Sequence, residues 1–348
     1  MKNRLMMLTC LLLVTAGLSA QQVDMSMIPY RQGNKWGFSD ADKNVLLTPK
    51  YDEVQWFSEG YAAVKVGSKW GYINKAGKLV IPAKYTVAKS FRKGYVPNVG
   101  KEGGDSVLFA GVSLKADGYE NCINTKGVVT VKCPAIPESS VAENNVPVET
   151  VVQQKTYSIP NNNGLFDKIV DDYKVAGSDE TYYIAQKNNA YGVFNTKFDT
   201  IVPFQYEEIK LVRNTGTPYL TAKQNGMYGI ISTQGQVRIQ PENSNVYGVK
   251  ASDGKDYIIV KRDGKTYVKD VNNNLVIPDG YADIVYDNGG FIVTGDNNMR
   301  GYYFMDNSSI KPKYSDIKHV NGTKYLLVKT SSGKLGYINS TGNEYFIE

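Results

Sequence analysis

Short apolar runs closed by tight polar turns follow one another along this chain. Between Tyr61 and Pro82 the β-forming run Tyr61-Ala62-Ala63-Val64-Lys65-Val66 leads into a turn at Gly67-Ser68-Lys69. Trp70-Gly71-Tyr72-Ile73-Asn74 reads as a second strand and Lys78-Leu79-Val80-Ile81 as a third. Between them Lys75-Ala76-Gly77 supplies a tight turn, with glycine where a positive φ is wanted. Pro82 ends the third strand, because proline cannot donate to a sheet ladder. The segment therefore predicts a three-stranded antiparallel meander. Trp70 and Tyr72 put bulk on one face and Ile73 on the other, with Val64 and Val66 in the preceding strand. A sheet that is apolar on both faces must be covered on both. One meander cannot do that alone, so neighbours have to stack on it.

The rest of the sequence can be laid over this unit. An aromatic–glycine pair recurs at Trp36-Gly37, Trp70-Gly71, Tyr191-Gly192 and Tyr228-Gly229, with weaker copies at Tyr267-Val268, Arg300-Gly301 and Leu335-Gly336. Within each run of copies the anchors are spaced by 34, then by 37, 39, 33 and 35 residues, and the gap of 121 between Trp70 and Tyr191 holds about three periods. A fixed period of this size marks a repeat array. Proline follows the anchor at Pro49, Pro82, Pro203, Pro241, Pro278 and Pro312; a tyrosine then follows at Tyr51, Tyr85, Tyr206, Tyr281 and Tyr314. Acids and an aliphatic residue trail it, as in Tyr51-Asp52-Glu53-Val54 and Tyr206-Glu207-Glu208-Ile209. This reads as a connector whose tyrosine and aliphatic residue pack between units while the acid caps a turn. The anchor glycine is expected to let a neighbouring backbone or ring come close.

Eight meanders can be placed, at about 28–49, 61–82, 107–134, 181–203, 218–241, 257–278, 291–312 and 325–348. The third has lost its Trp-Gly, and the pattern breaks between Pro134 and Glu180, where Leu165-Phe166-Asp167-Lys168-Ile169-Val170 looks like a connector without its meander. The expected organisation is a leader at 1–20, an N-terminal repeat lobe at 21–134, an irregular insert or linker at 135–180, and a degenerate C-terminal repeat lobe at 181–348. The predicted fold is all-β: tandem three-stranded antiparallel meanders stacked as a β-repeat array. An open superhelix is favoured and a closed propeller is the alternative, since no blade is seen to be split between the termini.

The first twenty residues change the setting. Lys2 and Arg4 precede an apolar run from Leu5 to Leu18, and Leu18-Ser19-Ala20 ends in small residues before polar Gln21. This is the pattern of a secretory signal cleaved after Ala20. The run is shorter than the ~20 residues a membrane-spanning helix needs, and Cys10 sits too early, after the bulky Thr9, for a lipoprotein leader. No later segment is long and apolar enough to cross a membrane, so an exported chain is expected, in the periplasm, at the cell surface or outside the cell. Without Lys2 and Arg4 the formal charge of +6 falls to +4, and no block of like charges suggests nucleic acid or a polybasic membrane patch. Cys122 and Cys133 remain. An oxidising compartment would permit a disulfide, but the hairpin register does not place them opposite each other and leaves the pairing open.

The string Lys-Trp-Gly-Tyr-Ile-Asn-x-x-Gly-Lys-x-Val-Ile-Pro-x-x-Tyr, followed by Phe57-Ser58-Glu59-Gly60-Tyr61-Ala62 and Phe91-Arg92-Lys93-Gly94-Tyr95, resembles the WG (KWG) repeat family. The match is close over residues 34–100 and continues from 188 onward in hairpin and proline positions, with Tyr, Arg or Leu in place of Trp. The resemblance implies an exported or surface-associated β-repeat protein. It brings no catalytic residues with it.

Catalytic and metal-binding patterns are sparse. His319 is the single histidine, placed in the connector Ile317-Lys318-His319-Val320, where a solvated or packed imidazole is the default. A Ser-His-Asp or Cys-His set would have to use it, and neither a nucleophile elbow nor a reactive cysteine setting is near. Asp40-Ala41-Asp42-Lys43-Asn44 opens like a calcium loop but lacks the sixth-position glycine and the closing glutamate. Glu207-Glu208 could serve as glycosidase carboxylates, yet neighbouring residues in a strand point apart. No cofactor or metal is expected. The reading is a non-enzymatic, monomeric binding or scaffold protein of the cell envelope, offering its stacked repeats to a protein, peptide or glycan. Aromatic residues that the repeat does not explain are the candidate contacts: Trp56, Tyr182 of the Tyr182-Tyr183 pair, and Tyr302 of the Tyr302-Tyr303 pair. The alternative is a carboxylate-dependent glycan hydrolase on a propeller-like fold, which would need two carboxyls in a central cleft at a separation of roughly 5 to 9.5 Å.

Overall fold

The computed structural model describes residues 23–97, 104–115, 121–130, 133, 164–175, 179–212 and 218–348. The leader at 1–20 and the polar stretch at 139–154 lie outside them. No helix occurs among the described residues; antiparallel strands account for the regular structure throughout. The chain divides into two compact units, Met1–Pro147 together with Glu348, and Val148–Ile347.

Seven of the eight predicted meanders are present among the described residues; in the eighth, at 325–348, Tyr325–Lys329 and Leu335–Asn339 pair but no third strand follows them in their sheet. In the first unit Ile28–Gln32, Lys35–Ser39 and Val45–Tyr51 pair in order, as do Tyr61–Val66, Lys69–Asn74 and Leu79–Tyr85. In the second unit the second strands of the successive meanders are Ala190–Asn195, Met227–Ser232, Lys265–Asp270, Arg300–Phe304 and Leu335–Asn339. The connectors differ from expectation, because they are strands. Glu53–Val54, Lys168–Lys174, Glu208–Val212, Asn245–Lys250, Asp283–Asp287 and Asp316–His319 each pair with the first strand of the meander that follows. Five of the sheets thus have four strands, one of them lent by the connector. These segments are short, and some carry a charged residue at every other position, as in Glu208-Ile209-Lys210-Leu211. That is the signature of a strand with one face covered, although the charges make it look like loop. The second unit's sheets accordingly begin at Lys168, within the stretch expected to be irregular. In the degenerate third meander Gly104–Ser113 is long enough to pair with both Arg92–Pro97 and Asn121–Ile123.

One local distortion recurs in nearly every sheet. Trp70 faces Tyr85 and Tyr72 faces Ile81, so a step of two residues on the middle strand meets a step of four on the third. The same slip separates Trp36↔Tyr51 from Phe38↔Leu47, Tyr228↔Asn243 from Ile230↔Ile239, and Arg300↔Tyr314 from Tyr302↔Ile310. The extra residues form a bulge around the proline, whose missing N–H is tolerated there. The bulge presses its backbone onto the middle strand at the glycine. A Cβ added at Gly71 would lie 2.5 Å from the Ile81 carbonyl oxygen and 2.7 Å from the Ala83 nitrogen. At Gly37, Gly229 and Gly301 an added Cβ would likewise run into the third strand's backbone. Gly71 is absent from the residues of positive φ, so the requirement there is space rather than dihedral freedom.

This register corrects the placement of one anchor. Thr266 faces Tyr281 and Val268 faces Ile277, so Thr266-Tyr267, not Tyr267-Val268, occupies the place of Trp70-Gly71. Tyr267 then stands where glycine is required. Its ring is accommodated because the opposing strand carries Gly280, whose added Cβ would lie 2.7 Å from the ring. The space has moved across the ladder instead of being lost.

The turn between second and third strands is a side-chain-capped loop. Asn74 Oδ1 accepts from the N–H groups of Ala76 (3.1 Å) and Lys78 (3.0 Å). Asp40, Asn124, Asn195, Asp270 and Asn339 do the same in their own turns. Asp40 therefore spends its carboxylate on Asp42, Asn44 and the Asn44 amide, which accounts for the calcium-like spacing without an ion. The fourth residue of the loop has positive φ, and it is glycine at Gly77, Gly127, Gly235 and Gly342. These glycines lie against the preceding repeat, at Leu47, Ile81, Ile201 and Ile310 respectively.

Cores form between consecutive sheets. Trp70, Tyr72, Ile81 and Tyr85 pack with Ala110, Val112 and Ile123 of the next sheet, and Tyr206 and Ile209 bridge Val193 to Leu220. The connector tyrosine and aliphatic residue thus sit between units as expected. The connector acids cap turns as expected too: Asp52 Oδ2 accepts from Gly67 N, Asp167 Oδ2 from Asn188 N, and Glu207 Oε1 from Gly226 N. Cys122 and Cys133 form a disulfide, with Cα atoms 5.2 Å apart, beside the pair Cys122↔Thr130. Cross-linking so short a loop contributes about 2–3 kcal/mol by restricting the unfolded chain.

Three outcomes are expected. Gly71→Ala should lower unfolding free energy by about 2–4 kcal/mol, since backbone must move to admit the methyl; chemical denaturation measures it. Asn74→Ala strands two N–H groups and should cost about 1–2 kcal/mol, whereas Asn74→Asp, which copies Asp40 and Asp270, should be close to neutral at pH 7. The Asn44 amide holds the Asp40 carboxyl below its usual 3.8, and the Lys35 ammonium does so for Asp52. At Asp270 burial opposes the shift, but the Asn274 amide and loop N–H groups outweigh it. A depressed folded-state value stabilises above the unfolded value and is lost on acidification. Thermal midpoints should hold steady down to about pH 4 and then fall; Asp40→Asn should soften that fall.

Candidate functional site

The three aromatic residues singled out from the sequence occupy different environments. Trp56 is 7% exposed and Tyr302 is fully buried. Register explains Tyr302: it faces Ile310 as Tyr72 faces Ile81, so it is the third residue of the repeat's Trp-Gly-Tyr rather than an addition to it. Both tyrosines bury the ring and donate to a backbone carbonyl, Tyr72 to Lys89 and Tyr302 to Asp287, each at 2.8 Å. Burial also pushes both hydroxyls well above the ordinary tyrosine range. Tyr182 is half-buried and faces Asn195 as Tyr61 faces Asn74, which makes it the repeat's opening tyrosine. It stacks on Tyr173 at 5.2 Å and donates to Glu180 at 3.2 Å. Burial, then the Glu180 carboxylate, raise its pKa.

The aromatic feature that departs from the repeat lies one turn away. In Asn195-Thr196-Lys197-Phe198-Asp199 the capped loop is intact, with Asn195 Oδ1 accepting from Lys197 N at 3.0 Å and Asp199 N at 2.9 Å. Its fourth residue has to adopt a positive φ. Glycine fills that place in four other loops, but here it is Phe198, at φ 67° and 39% exposed. A bulky side chain in the left-handed region is a true outlier costing about 1 kcal/mol or more. The ring lies parallel to Phe194 at 5.8 Å, and Phe194 stacks in turn on Phe166 at 4.7 Å and Tyr183 at 5.2 Å. Phe204 closes the side, lying over Gly192 where an added Cβ would meet its ring at 2.8 Å. Phe166, Phe194, Phe198 and Phe204 enclose a notch of about 90 Å3, with Lys187 and Thr200 at its edge. Its walls suit an apolar side chain or the face of a ring, and its rim offers one cation and one hydroxyl.

Sequence reasoning passed over this residue because it looked for doublets. The available signal was phenylalanine in a loop position that holds glycine at Gly77, Gly127, Gly235 and Gly342, asparagine at Asn273 and Asn307, and one other long side chain, Lys43.

The remaining candidates for chemistry have structural partners. His319 Nε2 lies 2.7 Å from the Thr323 carbonyl, its backbone N–H donates to Asp287 at 2.9 Å, and its ring stacks near Tyr302 at 6.0 Å. Glu207 holds the Gly226 turn and lies 3.8 Å from Lys223, while Glu208 pairs with Lys210. Among the described residues no three His, Cys, Asp or Glu side chains gather as a metal site would require. No helix among them is long and apolar enough to cross a membrane.

Fold and repeat together define a tandem antiparallel β-repeat protein. The family model for the WG containing repeat matches residues 36–70, 70–98 and 191–228, so the chain carries WG repeats in both compact units. No curated protein matches it. Among solved structures, the dihydro-heme d1 dehydrogenase NirN in complex with DHE is 10% identical, with 93% of this chain and 73% of that one covered, at a TM-score of 0.30. Kluyveromyces lactis Hsv2 is 9% identical over 47% of this chain and 58% of its own, at 0.25. BBS1N, in complex with ARL6DN, is 12% identical over 51% and 68%, at 0.23. Likenesses this weak carry no argument about function.

Phe198→Gly relieves the backbone at the cost of one half-exposed ring. Its thermal midpoint should be equal to or above that of the parent, by up to about 1 kcal/mol in stability. A clear loss of stability would mean that the ring is structural after all.

Proposed function

We propose that this chain is an exported, non-catalytic binding protein of the cell envelope, with the notch at Phe198 as an anchor point for a protein, peptide or glycan. The observation that carries the reading is the exposed Phe198 ring held at φ 67°. Strain retained at an exposed residue, where glycine would remove it, points to a role outside folding. An exposed aromatic face beside a small apolar hollow is also how proteins grip a side chain or a sugar ring. Export is supported by the leader pattern at 1–20 and by the Cys122–Cys133 bond, which suits an oxidising compartment. Within each unit the stacked sheets supply a frame, since consecutive sheets share cores.

The test is a pull-down from envelope extract with the chain from Gln21 onward, run beside a glycan array, comparing parent with Phe198→Gly. A reproducible protein or glycan ligand that is lost at least about tenfold with the variant, at unchanged folding, supports the reading. A ligand retained in full by the variant moves the binding face elsewhere, and silence in both assays removes the reading.

A further inference from the structure

A second cavity, of about 360 Å3, opens in the Val148–Ile347 unit across three consecutive sheets. Its floor is made by Tyr219, Ile230 and Ile258, respectively 5%, 1% and 1% exposed. Val271 forms one wall, from the capped loop of the next repeat, and stays 38% exposed. Two cations, Lys174 and Arg238, stand at the mouth, both exposed and neither in an ion pair among the described residues. The described lining includes no carboxylate side chain.

The walls are fixed in advance. Tyr173 donates to the Thr233 carbonyl at 2.9 Å, which ties one lining loop to the neighbouring sheet. Asp270 Oδ1 accepts from Asn272 N at 2.9 Å and Asn274 N at 2.8 Å, which pins the loop carrying Val271. The Tyr219 hydroxyl is buried and has no hydrogen-bond partner, lying where a side chain on Gly248 would collide with it. An apolar, largely pre-formed hollow with a few polar groups at its margin is the usual shape of a small-molecule site. Two cations over that hollow, with no carboxylate among its described lining, select the charge of the ligand.

We propose that this cleft binds a small organic anion with an apolar or aromatic body. The body lies on Tyr219, Ile230 and Ile258, and its carboxylate or sulfonate meets Arg238 and Lys174. Arginine offers the bidentate fork and lysine the point charge. This goes beyond the Phe198 notch, with which the cleft shares no described lining residue, while resting on the same view of the protein as a binder.

The probe is 1-anilinonaphthalene-8-sulfonate, an aromatic body with one anionic group, titrated into the folded chain from Gln21 onward and followed by fluorescence. N-Phenyl-1-naphthylamine, which lacks the sulfonate, is the uncharged comparison. Saturable binding of the sulfonate is expected. The double variant Lys174→Gln, Arg238→Gln should weaken it by about tenfold or more while changing the uncharged probe by no more than about twofold. Titration of Phe198→Gly separates the two sites: sulfonate binding that persists in it and falls in the double variant belongs to this cleft, whereas sulfonate binding lost in Phe198→Gly belongs to the notch and overturns the assignment. Decanoate should displace the sulfonate from the parent. Absence of saturable binding overturns the assignment, as does equal sulfonate affinity in the double variant at unchanged circular dichroism and melting temperature. Equal weakening of both probes overturns it too, because the cations would then not be reading charge.

Discussion

Everything in this fold rests on the close approach of each third strand to the middle strand beside it. Four residues of Ile81-to-Tyr85 backbone are folded into the length that Tyr72 and Trp70 span, and the surplus is pressed inward at Gly71. That bulge lets Ile81 and Tyr85 join the same core as Trp70 and Tyr72, and proline is accepted inside the strand because the ladder is already broken there. The chain then leaves the bulge into the connector strand that starts the next sheet. The aromatic–glycine pair and the later proline and tyrosine are therefore one device written at separate places in the sequence. The repeat containing Thr266 and Tyr267 proves the point by exception: its middle strand lost the glycine, and Gly280 on the opposing strand provides the room instead.

Much of this was legible. Turn glycines, the proline, the acid that caps a hairpin and the tyrosine between units all follow from the chemistry of single residue types, and they could be assigned without coordinates. Two things were not. Connector strands such as Glu208–Val212 hide because two to seven residues interspersed with polar and charged side chains give too little apolar signal to outweigh the loop reading. Register hides because a slip of one residue is invisible where the motif has decayed, so Tyr267 was taken for the ring of the pair when it stands in the glycine's place. The same blindness made Tyr302 look like an extra aromatic. Once it is aligned on Ile310, it is simply the buried tyrosine of its repeat.

The candidate site was the harder part, and the reason is physical. Aromatic residues in a stacked β-array are first of all the material between sheets, so their count says little about surface. Tyr182, Tyr219, Tyr257 and Tyr325 all open the first strand of a meander and face the residue that caps or precedes its loop. What distinguishes Phe198 is not that it is aromatic but that its backbone is in a conformation it would not choose. A strained position is recognisable only against the frame of its siblings, where the same place holds Gly77, Gly127, Gly235 and Gly342, the tolerant Asn273 and Asn307, and the solvent-facing Lys43.

A repeat protein thus reports its own anomalies. Because each sheet solves the same packing problem, a residue that makes the solution worse in one copy is where a role other than packing is to be tested. Phe198 meets that criterion through backbone strain, and the buried Tyr219 hydroxyl meets it through an unmade hydrogen bond. In Tyr325 and Tyr257, at the equivalent place, the hydroxyl is not left in that state; Tyr257, for example, donates to Asp253 at 2.8 Å. The two departures fall in adjoining sheets of one unit, each beside a cavity and each with lysine at its edge. Stability alone favours glycine at 198 and a paired hydroxyl at 219. Both positions keep the costlier arrangement, and the two proposed sites are built on those departures.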